Sequence, residues 1–238
     1  MTWVLGNLEL IGSLIVEHLG FALPPVLIGL ALAVPLGWLA NRTRAGRTLV
    51  INLAGLLYTV PSLALFVILP AILGTGILDP LNVIIALTVY TLALLVRTVA
   101  DALSAVPPMV VDSATAMGYR PLRRFLAVEL PLAVPVVLAG VRVAAVSSIS
   151  LVTVGSVIGF GGLGKMFTDG FQRDIPAEII AGIVLVLLIA LLIDGLLLLI
   201  GRALTPWTRA GAGAAARGRS EPAEPESRPG GSKLARIR

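Results

Sequence analysis

Hydrophobic positions along this chain gather into five long runs, at about residues 19–40, 49–73, 81–100, 132–154 and 177–200. Each is close to the ~18–20 apolar residues a helix needs to cross a hydrocarbon core of ~30 Å. Only polar or glycine-rich stretches separate them, so the pattern predicts an all-α polytopic membrane bundle with five principal transmembrane helices. Ahead of the first run, Val4, Leu8, Ile11, Ile15 and Leu19 recur at helical spacing, with Asn7, Ser13 and Glu17 elsewhere on the wheel. This predicts an amphipathic interfacial helix over 1–18, without the basic start of an export signal. Glu17 and His18 are then expected to be solvated at a membrane boundary. The run 49–73 contains Thr59-Val60-Pro61-Ser62 and reads as one kinked or tilted span rather than two broken halves. The membrane region is expected over 19–205. Residues 206–238 are Ala, Gly, Pro, Glu, Ser and Arg without an apolar face, and read as a disordered tail whose arginines can touch anionic lipid.

Charge orients the runs. Arg42, Arg44 and Arg47 fall in one turn, Arg120, Arg123 and Arg124 in the loop 101–131, and further basic residues from Arg202 onward. With five crossings these share a face, and the opposite face holds only Lys165 and Arg173. The excess of Lys and Arg marks the first face as cytoplasmic, placing the N-terminus outside and the C-terminus inside the cell membrane. A sixth crossing made at Pro61 would separate the two basic turns, against that pattern.

Composition narrows the chemistry. With 57% hydrophobic and 13% charged residues, an ordinary soluble domain is excluded. The absence of cysteine removes disulfides and thiolate metal sites, and a single histidine cannot build a multi-histidine centre. No nucleophile–base pair, metal cluster or paired intramembrane carboxylates stand out, so no catalytic residues, metal or cofactor are expected and the chain does not read as an enzyme. The net charge of +5 sits in membrane-flanking turns rather than in a nucleic-acid patch.

The longest polar interruption, 107–131, reads as helix, sharp turn, helix. Pro107 and Pro108 suit a helix entry, and Gly118 suits the left-handed residue that ends it. Charges alternate with Met109, Met117, Tyr119, Leu122 and Leu126, which give the hairpin an apolar face to dock on something. Its register resembles the EAA loop of binding-protein-dependent ABC importer permeases: Glu-Ala-Ala, three residues, Gly, nine residues, Ile, one residue, Leu-Pro. Asp112, Ser113 and Ala114 stand at the first three positions, followed by Gly118, Val128 and Leu130-Pro131. Three positions depart conservatively, Asp for Glu, Ser for Ala and Val for Ile. The segments 59–66, 128–142 and 158–167 are similar to permeases of the glycine betaine, carnitine and choline class.

The resemblance implies that Asp112, Ser113, Ala114, Gly118, Tyr119, Arg120, Val128, Leu130 and Pro131 form or support a coupling element for an ABC ATPase. It further implies a second permease subunit, identical or related, and an extracytoplasmic solute-binding protein. The chain lacks GxxxxGK[ST], so ATP is bound by the partner ATPase. The implied cargo is a compatible solute such as glycine betaine, choline or carnitine. Import of methionine or another small solute, and a non-transporting scaffold, are the alternatives the same residues allow.

Inside the spans, Arg142 and Asp194 are too costly to bury alone, and are expected to pair or to bind carbonyls. Tyr58, Thr59, Ser62, Tyr90, Thr91, Ser147, Ser148 and Ser150 could line a translocation path or bond back to helices. Gly159, Gly161, Gly162 and Gly164 formally match a dinucleotide fingerprint. They follow a span rather than a strand, however, and read as an outer-side bend.

Overall fold

The computed structural model describes residues 2–207, and the helices account for nearly all of them. Most of the expected tail lies outside the described residues. A short helix α1 (Thr2–Gly6) precedes α2 (Leu8–Ala40), then α3 (Arg44–Thr59), α4 (Ser62–Leu73) and α5 (Pro80–Ser104). The expected hairpin supplies α6 (Pro108–Ala116) and α7 (Pro121–Arg124). A π-helical turn, Phe125–Glu129, carries α7 directly into α8 (Leu130–Gly155). Pro131 contributes to this irregularity, since it brings no N–H to the regular ladder. A 3₁₀ turn, Ser156–Ile158, and α9 (Lys165–Gln172) lead to α10 (Pro176–Leu204).

Two expectations are corrected. The boundary between an interfacial helix and the first span, placed at residue 18, has no counterpart. The apolar face of 8–18 runs without a break into α2, whose 33 residues measure about 50 Å. The second run is broken rather than merely kinked. Pro61 cannot continue the hydrogen-bond ladder, Val60 and Pro61 are extended, and α4 leaves α3 at 98°. Taking the bent pair as one span keeps the count at five. The Tyr90 hydroxyl donates to the carbonyl of Val60, so α5 caps the break.

α5 is the centre of the bundle, packed against α2, α3, α4 and α8. More than half of its most apolar window is buried, against 6% of that in α10. Close approach rests on small residues. A Cβ on Gly29 would run into Thr91, and one on Gly37 into Val99, so α2 lies directly on α5 with Ala33 buried between them. Hydroxyls fasten the proline-containing turn of α2: Thr91 Oγ1 donates to Pro25 O at 2.8 Å, and Ser148 Oγ to Ala22 O at 2.8 Å.

The basic turns meet at one end. Asn41 Nδ2 donates to Ala100 O, and Arg47 pairs with Asp101. At the other end the turn after α4 is held by Asn82, whose amide donates to Gly76 O and whose Oδ1 accepts from Thr75. Leu78 of that turn lies beside Gly159.

Candidate functional site

At the basic end, α6 stands off the bundle, its principal contacts being with α7 and the π turn. Pro108 sits in its first turn, where a missing N–H costs nothing. Gly118 stops it at φ +83°, and the amides of Gly118 and Tyr119 donate to Thr115 O and Ala114 O at 2.9 and 3.2 Å. The second bond spans five residues, as in a left-handed helix cap. Of the motif residues, Asp112, Ser113, Gly118 and Arg120 are exposed and Ala114 is buried, while Tyr119, Val128, Leu130 and Pro131 are half-buried.

Arg124 is the residue the motif reading missed. Its Nη1 donates to Thr115 Oγ1 at 2.8 Å and its Nε to Glu129 Oε1 at 2.6 Å. One guanidinium thereby ties α6 to the start of α8. Only the charge pair at five-residue spacing hinted at it. Phe125 is buried and stacks on Trp38 of α2 at 5.0 Å. Met109 and Met117 are 79% and 71% exposed, and Leu122 and Leu126 stay more than half exposed. The hairpin therefore presents an apolar surface that no other described residue covers.

Within the bundle, Arg142 of α8 and Asp194 of α10 form a bidentate pair, Nε–Oδ1 2.7 Å and Nη2–Oδ2 2.6 Å. The fork geometry satisfies both carboxylate oxygens at once. It links α8 to α10.

The path candidates divide. Ser148 and Thr91 are buried in contacts with α2, as described above, and do not face open space. Ser147 is half-buried and Ser150 exposed. Tyr58, Thr59, Ser62 and Tyr90 cluster at the α3–α4 break. Thr59 bonds back to Leu56 O, Ser62 opens α4, and the tyrosine rings meet edge-on at 6.0 Å. A cleft of about 310 Å³ next to them is lined by Gly55, Tyr58, Arg97 and Thr98.

The far end holds a second surprise. His18 is fully buried, not solvated. Its Nε2 lies 3.1 Å from Ile149 O, and its Nδ1 accepts from Leu163 N at 3.3 Å. A ring that donates through Nε2 and accepts through Nδ1 is the neutral tautomer. Glu17 is exposed at its surface, but one carboxylate oxygen accepts from Gly162 N at 2.9 Å. Gly159 and Gly162 take φ +101° and +80°, and a Cβ on Gly161 would overlap the Glu17 carboxylate. The glycine stretch is thus a loop latched to α2 by two consecutive side chains, lying between helical segments with no strand before it.

Comparison with known proteins agrees with this geometry. Residues 26–209 match the family model described as the binding-protein-dependent transport system inner membrane component. The choline transport system permease protein OpuBB of Bacillus subtilis is 34% identical over 190 residues, covering 80% of this chain and 86% of its own length. The osmoprotectant import permease protein OsmW of Salmonella typhimurium is 34% identical over 207 residues, covering 86% and 96%. Among solved structures, an inward-facing form of the MetNI methionine ABC transporter superposes with a TM-score of 0.75 at 24% identity, over 84% of this chain and 98% of that one. That likeness concerns the fold.

Proposed function

From the premise that this chain belongs to the inner-membrane components of binding-protein-dependent transport systems, we propose that it is the permease subunit of an ABC importer for a compatible solute. The solute class is that of its similar relatives, which carry choline, osmoprotectants and carnitine by name. The methionine transporter shares the fold at a lower identity, so the methionine alternative has less support.

The observation that carries the reading is the hairpin at the basic end. Its residues follow the EAA register, Gly118 takes the left-handed turn, and Arg124 locks the short helix to α8. A partner ATPase seated on Met109, Met117 and the surface around Asp112 would move α6 as a rigid piece. Because α6 follows α5 directly and α7 continues into α8, such movement passes to the two helices at the centre of the bundle. The α3–α4 break, with Tyr58 and Tyr90, lies against α5, where that displacement would alter the space beside Arg97. Aromatic faces suit a quaternary ammonium. In this reading the basic end is cytoplasmic, and the latch of Glu17, His18 and the glycine loop is on the outside. Solute is delivered there by a binding protein, and a second permease subunit completes the passage.

The test is uptake in proteoliposomes containing this chain, its ATPase and its binding protein, with labelled glycine betaine, choline, carnitine and methionine. ATP-dependent accumulation of one of the first three supports the proposal. Accumulation of methionine alone, or of none, overturns it.

A further inference from the structure

At the basic end a cleft of about 570 Å³ opens between the α2–α3 turn, the end of α5 and the start of α7. Arg42, Arg44, Arg47 and Arg124 line it, with Glu129 as the lone carboxylate. Two of these guanidiniums are already neutralised, Arg47 by Asp101 and Arg124 by Glu129. Arg42 and Arg44 have no carboxylate within ion-pair distance among the described residues, so positive charge exceeds negative by two even with Asp101 included. Arg42 is exposed, and its guanidinium lies over the Trp38 ring, 4.2 Å from its centroid.

Further polar groups in this cleft await partners. Arg47 Nε is buried and has no hydrogen-bond partner among the described residues. The first amides of α3, those of Arg44 and Ala45, have no carbonyl of their own helix to meet, and the side chain of Thr43 caps only Gly46. The donors together with the helix N-terminus suit a phosphate. Asn41 Oδ1 is also buried without a partner among the described residues, while its amide nitrogen donates to Ala100 O. An acceptor among arginines calls for a ligand that brings its own hydrogen-bond donor. The apolar residues flanking the turn on both sides, Leu36 and Leu39 before it, Leu49 and Leu53 after it, are all exposed.

We propose that this cleft binds a hydroxyl-bearing phosphate, its charge on Arg42, Arg44 and Arg47 and its hydroxyl on Asn41, with an anionic membrane phospholipid of the phosphatidylglycerol type as its source. The exposed leucines beside the arginines favour the lipid over a free phosphate, since they would meet its acyl chains where the charges meet its headgroup. A cleft of this kind would hold the α2–α3 turn at the headgroup level, next to the hairpin.

The experiment uses the purified complex of this chain with its ATPase, released from nanodiscs that mix phosphatidylglycerol equally with phosphatidylcholine or with phosphatidic acid, and weighed intact by native mass spectrometry. Retained phosphatidylglycerol, at one per chain and at least tenfold over phosphatidylcholine, is expected. Arg42→Gln/Arg44→Gln should lose that preference, and Arg42→Lys/Arg44→Lys should keep most of it, which separates charge from folding. Asn41→Leu should shrink the preference for phosphatidylglycerol over phosphatidic acid, which lacks the glycerol hydroxyls. Displacement of bound lipid by millimolar glycerol 3-phosphate would confirm the chemistry but assign the site to a soluble phosphate. Equal retention of both lipids overturns the proposal. So does an undiminished preference in the glutamine variant, most plainly if that variant instead sheds its ATPase. None of these readings depends on which solute is carried, so failure here is distinguishable from failure of the transport assignment.

Discussion

Gly118 carries the sharpest consequence for a single residue. Nothing lies within 4 Å of where its Cβ would be, so a substitution there meets backbone strain and not collision. A β-branched residue at φ +83° costs about 1–2 kcal/mol or more, whereas Asn tolerates the left-handed region. Gly118→Val is therefore expected to lower ATP-driven uptake at least tenfold with normal membrane insertion, and Gly118→Asn to retain most of it. Equal loss in both, read in the same vesicles, would mean the turn's shape is not what matters. Arg142 and Asp194 make a different kind of prediction. Removing either partner alone leaves one charge at membrane depth, so Arg142→Gln and Asp194→Asn should each lower the unfolding temperature in detergent. Exchanging the two residues should restore part of the loss, since the fork can form in either direction. Tyr90→Phe leaves the Val60 carbonyl at the helix break without its donor, and is expected to cost on the order of 1 kcal/mol in the same melt.

Among the elements, the glycine loop and α2 behave as a lock and its keeper. Gly161 has no room for a methyl group because the Glu17 carboxylate occupies the space. Gly161→Ala should therefore impair uptake, and adding Glu17→Ala should relieve it by emptying that space. If the double variant is no better than Gly161→Ala alone, the loop is sensitive for some other reason. α2 also shows why periodicity can mislead about where an element ends. The apolar positions of 3–18 are real, but they continue in phase into the span, and nothing in the chain at 18–19 breaks a helix. About 33 Å separates Glu17 and His18 from the basic turn at the other end of α2, close to the thickness of a hydrocarbon core. That spacing puts the latch at the opposite membrane boundary from the arginines.

For the whole molecule, the unpartnered surfaces matter most. α10 buries little of itself, and much of α3 is exposed. In a membrane, lipid or another protein surface must cover both. The proposed orientation rests on the arginines and is open to a direct test, made simple because the chain contains no cysteine. In sealed right-side-out vesicles, Lys165→Cys should react with a membrane-impermeant maleimide and Met109→Cys should not until the vesicles are opened. The reverse pattern would invert the topology and detach α6 from any cytoplasmic ATPase.

Hydropathy by itself determined that this is a bundle of five principal membrane spans, because an apolar run of spanning length has no other stable environment. Local backbone chemistry determined the hairpin, since Pro107-Pro108 and Gly118 act on their immediate neighbours and need no distant partner. The 98° break at Pro61 was only half legible: a proline announces an interruption, but its angle depends on α5 receiving α4 and on Tyr90 capping Val60. What joins residues far apart along the chain was decided by the tertiary structure alone. His18 looked like a solvated residue until Ile149 and Leu163 were brought to its two nitrogens. Ser148 looked like any other hydroxyl in a span until Ala22 met it, and the three arginines of one turn joined Arg124 in a cleft only when the ends of α2, α3, α5 and α7 converged. Hydrophobic pattern and turn chemistry are written within a few residues of where they act, but burial and hydrogen-bond partnership belong to pairs that only packing selects.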